Sequence, residues 1–230
     1  MDDSRSPRSP QVLARIAGIL YLFIIFAGGY VEIFIRGKII VSGNAAATAH
    51  NIVSYEQLWR YGFTAEAVMW IFSVVTMTAF YVLLKPVNPT IALMALIFNI
   101  VDTVVETLNA TLCNFAALFL AGSNAQFGAM ALRLHEYGFG AGLLFFAFWL
   151  ILTGYLIVRS GYFPAWLGVL AAIGGTCYAI NSLALFAAPD IADAMFPYIL
   201  LPSLVAELSL AIWLTIKGVN LDQWRLRTSA

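Results

Sequence analysis

Six stretches of this chain run for about twenty residues or more with very few charges: 13–35, 61–84, 90–121, 137–158, 165–187 and 197–216. A bilayer core of about 30 Å is crossed by roughly 20 residues of α-helix. In lipid, every backbone N–H and C=O has to be paired within its own segment. Each run therefore reads as one membrane-crossing helix, and the chain as an all-α, polytopic bundle of six transmembrane helices. Composition agrees: 62% of the 230 residues are apolar and 10% charged, against about 45–50% and 25% in soluble domains. A soluble enzyme made from this chain could not cover itself with polar surface. Twelve basic and twelve acidic residues leave no net charge, which removes the electrostatic footprint of a nucleic-acid binder. The partner implied is the lipid bilayer, with a homo-oligomer or a membrane partner protein left open.

The loops set the expected organisation. Residues 1–11 read as a disordered N-terminal tail, 12–220 as the six-helix domain and 221–230 as a cytoplasmic C-terminal tail. The first apolar run is too long for a signal peptide and no small-residue cleavage site follows it, so it is expected to be retained. One side of the membrane then holds Arg5, Arg8, Arg15, Lys85, Arg159, Lys217, Arg225 and Arg227; the other holds Arg36, Lys38, Arg60 and Arg133. Positive residues mark the cytoplasm, which predicts both termini inside. The inner links 85–89 and 159–164 are short, and each pairs a basic residue with a proline that ends one helix and starts the next. The outer link 36–60 carries possible helix caps at Ser42 and Asn44. Beyond them Ile52, Tyr55 and Trp59 share one face, which predicts a short interfacial helix with Trp59 and Tyr61 as belt residues. A second outer link, 122–136, is polar and expected to be partly helical.

The third span carries the chemistry. At about 100° per residue, Asn99, Asp102, Glu106, Asn109 and Cys113 fall on one stripe, with Thr103, Thr107, Thr111 and Asn114 beside it. Val101, Val104, Val105, Leu108, Leu112 and Phe115 take the opposite face. The polar side has to face protein or water, because a charge at the bilayer centre costs several kcal/mol. Asp102 and Glu106 lie one turn apart, and like charges so close do not both ionise easily in a dry setting. Such a pair suits a proton, a cation or a cationic ligand. Glu207 in the sixth span completes an acid-lined outer pocket in this reading, with Asn109 and His135 as further ligand-binding candidates. The alternative is structural: each acid hydrogen-bonds a neighbouring helix, and Glu32 and Glu66 pair with the outer arginines.

Other signals are plain. Cys113 and Cys177 lie in apolar runs and read as buried small hydrophobes. His50 and His135 do not make a metal motif, and no metal or cofactor is expected. Glycines 138 and 142 form a GxxxG spacing, and Gly168, Ala172, Gly175 and Ser182 a small-residue face; both suit close helix packing. Neither a nucleophile elbow nor a phosphate-binding loop is present, so no catalytic residue is assigned.

Several short stretches occur in a familiar order: Arg15-Ile-Ala-Gly-Ile-Leu-Tyr-Leu22, Gly43-Asn-Ala-Ala-Ala-Thr-Ala-His-Asn-Ile52 and Leu84-Lys-Pro-Val-Asn88. Further along come Leu134-His-Glu-Tyr-Gly138, Arg159-Ser-Gly-Tyr-Phe-Pro164 with Leu167-Gly168, and Ala206-Glu-Leu-Ser followed by Lys217-Gly218. Together they resemble a bacterial membrane family, domain of unknown function 4386, from about Ala14 to Asn220. The resemblance implies about six helices in a bacterial inner membrane and no defined activity. It carries His135, Tyr137, Arg159, Tyr162, Pro164 and Glu207 as matched positions.

Three functional readings follow. The first is binding or transport of a proton, cation or small polar ligand through the acid-lined pocket. The second is a non-catalytic membrane subunit or scaffold that docks a partner through small-residue helix faces. The third is an intramembrane enzyme with His135 as base, for which no nucleophile is in sight; the balance leans away from an enzyme.

Overall fold

The computed structural model describes residues 10–228. Most of the expected N-terminal tail lies outside them, and Pro10 and Gln11 already belong to the first helix. The described residues form helices and turns with no strand. The first helix, α1 (Pro10–Tyr30), continues through a π-helical stretch (Val31–Arg36) into a short turn, α2 (Gly37–Ile39). Then come α3 (Ala45–Ser54), α4 (Glu56–Leu84), α5 (Pro89–Ala121) and α6 (Ala125–Ser160). Next are α7 (Ala165–Ala187), the short α8 (Pro189–Met195), α9 (Leu201–Ile216) and α10 (Leu221–Thr228). Six helical segments are long and apolar enough to cross a membrane, and they correspond to the six apolar runs.

Helix starts follow local chemistry. Asn44, Asn88 and Asn124 each accept a backbone N–H from the first turn of the helix they open, and Pro89 supplies the pre-set φ of a first helical residue. One boundary departs from expectation. The fourth span begins at Ala125 rather than 137, and the outer link shrinks to Gly122–Asn124. Arg133, His135 and Glu136 interrupt the apolar run but not the helix. At 1.5 Å per residue, α6 is about 54 Å long and projects well past a bilayer core.

The six spans pack in chain order as a ring: α1 on α4, α4 on α5, α5 on α6, α6 on α7, α7 on α9, and α9 back on α1. Glycines set the closest approaches. A Cβ on Gly18 would lie 2.5 Å from the backbone nitrogen of Thr215, and one on Gly154 2.5 Å from the carbonyl oxygen of Gly168. With no hydrophobic drive between helices in lipid, such small-residue contacts carry much of the association. Inside the ring, Tyr21, Phe80 and Trp149 meet edge to face. Outward sides are apolar: Ile19, Ile71, Leu108 and Leu112 are all well over half exposed, as lipid-facing residues should be.

The two ends differ. At one, α3 lies across the bundle and buries Thr48, Ala49 and Ile52 against α5 and α6. Its helix ends at Ser54, so Trp59 belongs to α4 and points inward instead of serving as a belt residue. At the other end, Gln11 bridges the Lys217 carbonyl and the Val219 N–H, and the Tyr162 hydroxyl donates to the Leu83 carbonyl at 2.6 Å. Burial raises the Tyr162 phenol above its usual range, so this hydroxyl stays protonated and keeps donating.

Candidate functional site

The polar stripe of α5 forms as the helical spacing predicts. Asn99, Asp102 and Thr103 are buried, whereas Val104, Leu108 and Leu112 on the other face are more than half exposed. Asp102 and Glu106 flank the midpoint of α5, the depth at which a charge is most costly. Among the described residues, neither carboxylate has a hydrogen-bond partner from another side chain. The Asn99 amide nitrogen is likewise buried without one. Glu106 lies against Gly142 of α6, where a Cβ would come within 2.6 Å of its carboxylate oxygen. Gly138, one turn away, receives Asn109 in the same way. The GxxxG spacing thus seats two polar side chains of α5 against α6.

The other predicted residues fall into two groups. Asn109 donates through Nδ2 to the His135 carbonyl at 2.9 Å and lies 3.0 Å from the His135 Nδ1. These two candidates are together, one helical turn from Glu106 toward the α3 end. Glu207 sits mid-length in α9, within electrostatic range of Asp102 but held by other residues. Tyr178 of α7 donates its hydroxyl to Glu207 at 2.6 Å, and Tyr21 of α1 donates at 2.9 Å. Sequence reasoning missed both tyrosines. Their signal was available: belt tyrosines sit at span ends, and a mid-span tyrosine needs a partner for its hydroxyl.

A third cluster closes the end of the bundle that holds α3. Arg36, at the end of the π-helical stretch, is buried. Its Nη2 donates to Glu66 at 3.0 Å and to Asn114 at 3.4 Å. Its Nε lies 3.5 Å from Glu32. Asn114 donates to Glu66, and the Trp59 indole donates to the Asn114 carbonyl. This matches the structural reading of Glu32 and Glu66. The arginine ties α1, α4 and α5 together, and a π-bulge is a common way to aim such a side chain.

Asp102, Glu106 and Glu207 do not line either of the two best-defined cavities. One lies against Phe80, Ala95, Trp149 and Thr153, the other inside the Arg36–Glu66–Asn114 cluster. Each has room for about one water. Gly142 lets α6 pack directly against the Glu106 side chain. Small-residue faces are also consumed internally: Gly168 packs on Gly154, and Gly175 on Ala147 and Ile151. No group of three or more His, Cys, Asp or Glu among the described residues is placed to hold a metal. Cys113 and Cys177 are free thiols and only half-buried, because apolar positions on a membrane helix need not face the core.

Comparison with known proteins places the chain. Residues 16–218 match the family described as Domain of unknown function (DUF4386). The chain is a DUF4386 protein. It is 31% identical over 153 residues to an uncharacterized protein of Archaeoglobus fulgidus, covering 66% of this chain and 81% of that protein. No solved structure matches it. The DUF4386 match spans all six candidate membrane helices, including Asp102, Glu106 and Glu207, and ends before α10. It is a multi-pass membrane protein.

Proposed function

We propose that this DUF4386 protein binds a proton, or a small cation in its place, at Asp102 and Glu106, and that Glu207 belongs to the same buried system. One observation carries the reading: two carboxylates at mid-span without side-chain hydrogen-bond partners. Intramembrane acids are expensive and are otherwise paired, as Glu207 is by two phenols. The tight packing around Glu106 favours a proton or bare ion over an organic ligand. His135 and Asn109 sit one turn outward and would serve as the next polar step toward the α3 end. The scaffold alternative rests on small-residue faces. Those glycines pack inside the bundle, so a partner would need another surface. The basic residues gathered at the end opposite α3 support an inner-membrane placement with both termini cytoplasmic.

Infrared difference spectra of the purified protein between alkaline and acidic buffer test the reading. The expected result is a carboxyl carbonyl band that disappears in the Asp102→Asn/Glu106→Gln variant. A band unchanged in that variant would assign the proton to other groups and end the proposal.

A further inference from the structure

Basic residues at the two ends of the bundle are treated differently by the fold. At the α3 end three of the four have a partner within the protein, and Arg133 is exposed. Arg36 pairs with Glu32 and Glu66, Arg60 with Glu56 at 2.8 Å, and the Lys38 ammonium sits 4.3 Å from the Tyr55 ring centroid. At the opposite end Arg15, Lys85, Arg159, Lys217, Arg225 and Arg227 are all exposed. Asp222 is the one acid there among the described residues, and no carboxylate pairs with Arg15, Lys85, Arg159 or Lys217 among them. The last helix, α10, is fixed across this end. Trp224 packs edge-on to Tyr162 at 5.0 Å, and the Asn220 N–H donates to the Tyr162 carbonyl. With Trp224 turned inward, Arg225, Leu226 and Arg227 point outward, Leu226 being 65% exposed between two arginines. An apolar side chain flanked by two guanidiniums suits the headgroup layer rather than water.

We propose that this end, centred on α10 and including Arg159 and Lys217 at the ends of α6 and α9, is a binding surface for anionic phospholipid headgroups. The surface is independent of the proton reading, since none of its residues touches the buried acids. Charge complementarity and position select the occupant. The residues stand at the ends of the spans, and a basic side chain near an anionic leaflet gains attraction that salt screens. Arg225 and Arg227 are thereby held on a docked helix instead of a free tail.

The test uses the full chain, purified and delipidated in detergent. Its unfolding midpoint is followed while phosphatidylglycerol, phosphatidylcholine or inorganic phosphate is added. The expected result is a rise with phosphatidylglycerol alone. The lipid needed should increase about fivefold for each arginine neutralised in Arg225→Gln and Arg227→Gln. Arg133→Gln, at the α3 end, should respond as the wild type. An equal response to phosphatidylcholine would overturn the proposal, as would a response reproduced by phosphate, which would mean a simple anion site. An unchanged response in the Arg225→Gln/Arg227→Gln and Arg159→Gln/Lys217→Gln variants would also overturn it.

Discussion

At the scale of single residues, the three mid-span acids are held in opposite ways. Glu207 has a phenol on each oxygen, whereas Asp102 and Glu106 have none. A hydrogen bond to a charged or strongly polar group contributes about 1.5–3 kcal/mol. Tyr178→Phe should therefore lower unfolding stability in detergent by about that amount, and by less than about 1 kcal/mol when Glu207 is already Leu. Equal losses in both backgrounds would show that the phenol acts through packing alone. The acids themselves were legible, because a carboxylate in an apolar run stands out. The two tyrosine partners of Glu207 were passed over as two more aromatics, although a mid-span tyrosine needs a partner for its hydroxyl. Arg36 was visible as an outer arginine, but its burial depends on the π-helical stretch, which has no clear mark in the sequence.

At the scale of helices, glycine placement decides how close neighbours come. A Cβ on Gly154 would meet backbone atoms of α7, the Gly168 oxygen at 2.5 Å and the Ala172 nitrogen at 2.8 Å. Backbone cannot yield as a side chain can, so Gly154→Ala should force α6 and α7 apart, with a loss of about 1–3 kcal/mol. Gly29→Ala is the contrast. Nothing lies within 4 Å of the added methyl, and Ala is the better helix former by up to about 1 kcal/mol. It should be neutral or stabilising, and thermal melts of the two variants side by side check both outcomes. The sequence marked Gly138, Gly142, Gly168 and Gly175 as packing positions. What it could not say was which helix each one faces. Gly142 was grouped with a packing motif, yet its neighbour is the Glu106 carboxylate.

At the scale of the whole molecule, hydropathy made six spans and their order readable, and the ring closes in that order with α9 against α1. Polar residues blurred one edge, where Arg133, His135 and Glu136 hid about three helical turns of α6. The proposed orientation makes a direct prediction. After Cys113 and Cys177 are replaced by Ala, a thiol at Ser54 should react in intact cells with a membrane-impermeant maleimide, and a thiol at Lys85 should react only after lysis. The reverse pattern would invert the topology and put the lipid-binding end outside. The buried acids matter more, because they are the reason to assign this bundle a ligand. Function-bearing buried acids are commonly kept at some loss of stability. The measurement that reaches this most directly is the unfolding midpoint of the wild type and of Asp102→Asn/Glu106→Gln across a range of pH and of sodium and potassium concentration. A proton- or cation-binding pair predicts a double variant at least as stable as the wild type, with the dependence on pH or cation lost. A variant clearly less stable, with that dependence intact, would make the two carboxylates structural and contradict the account.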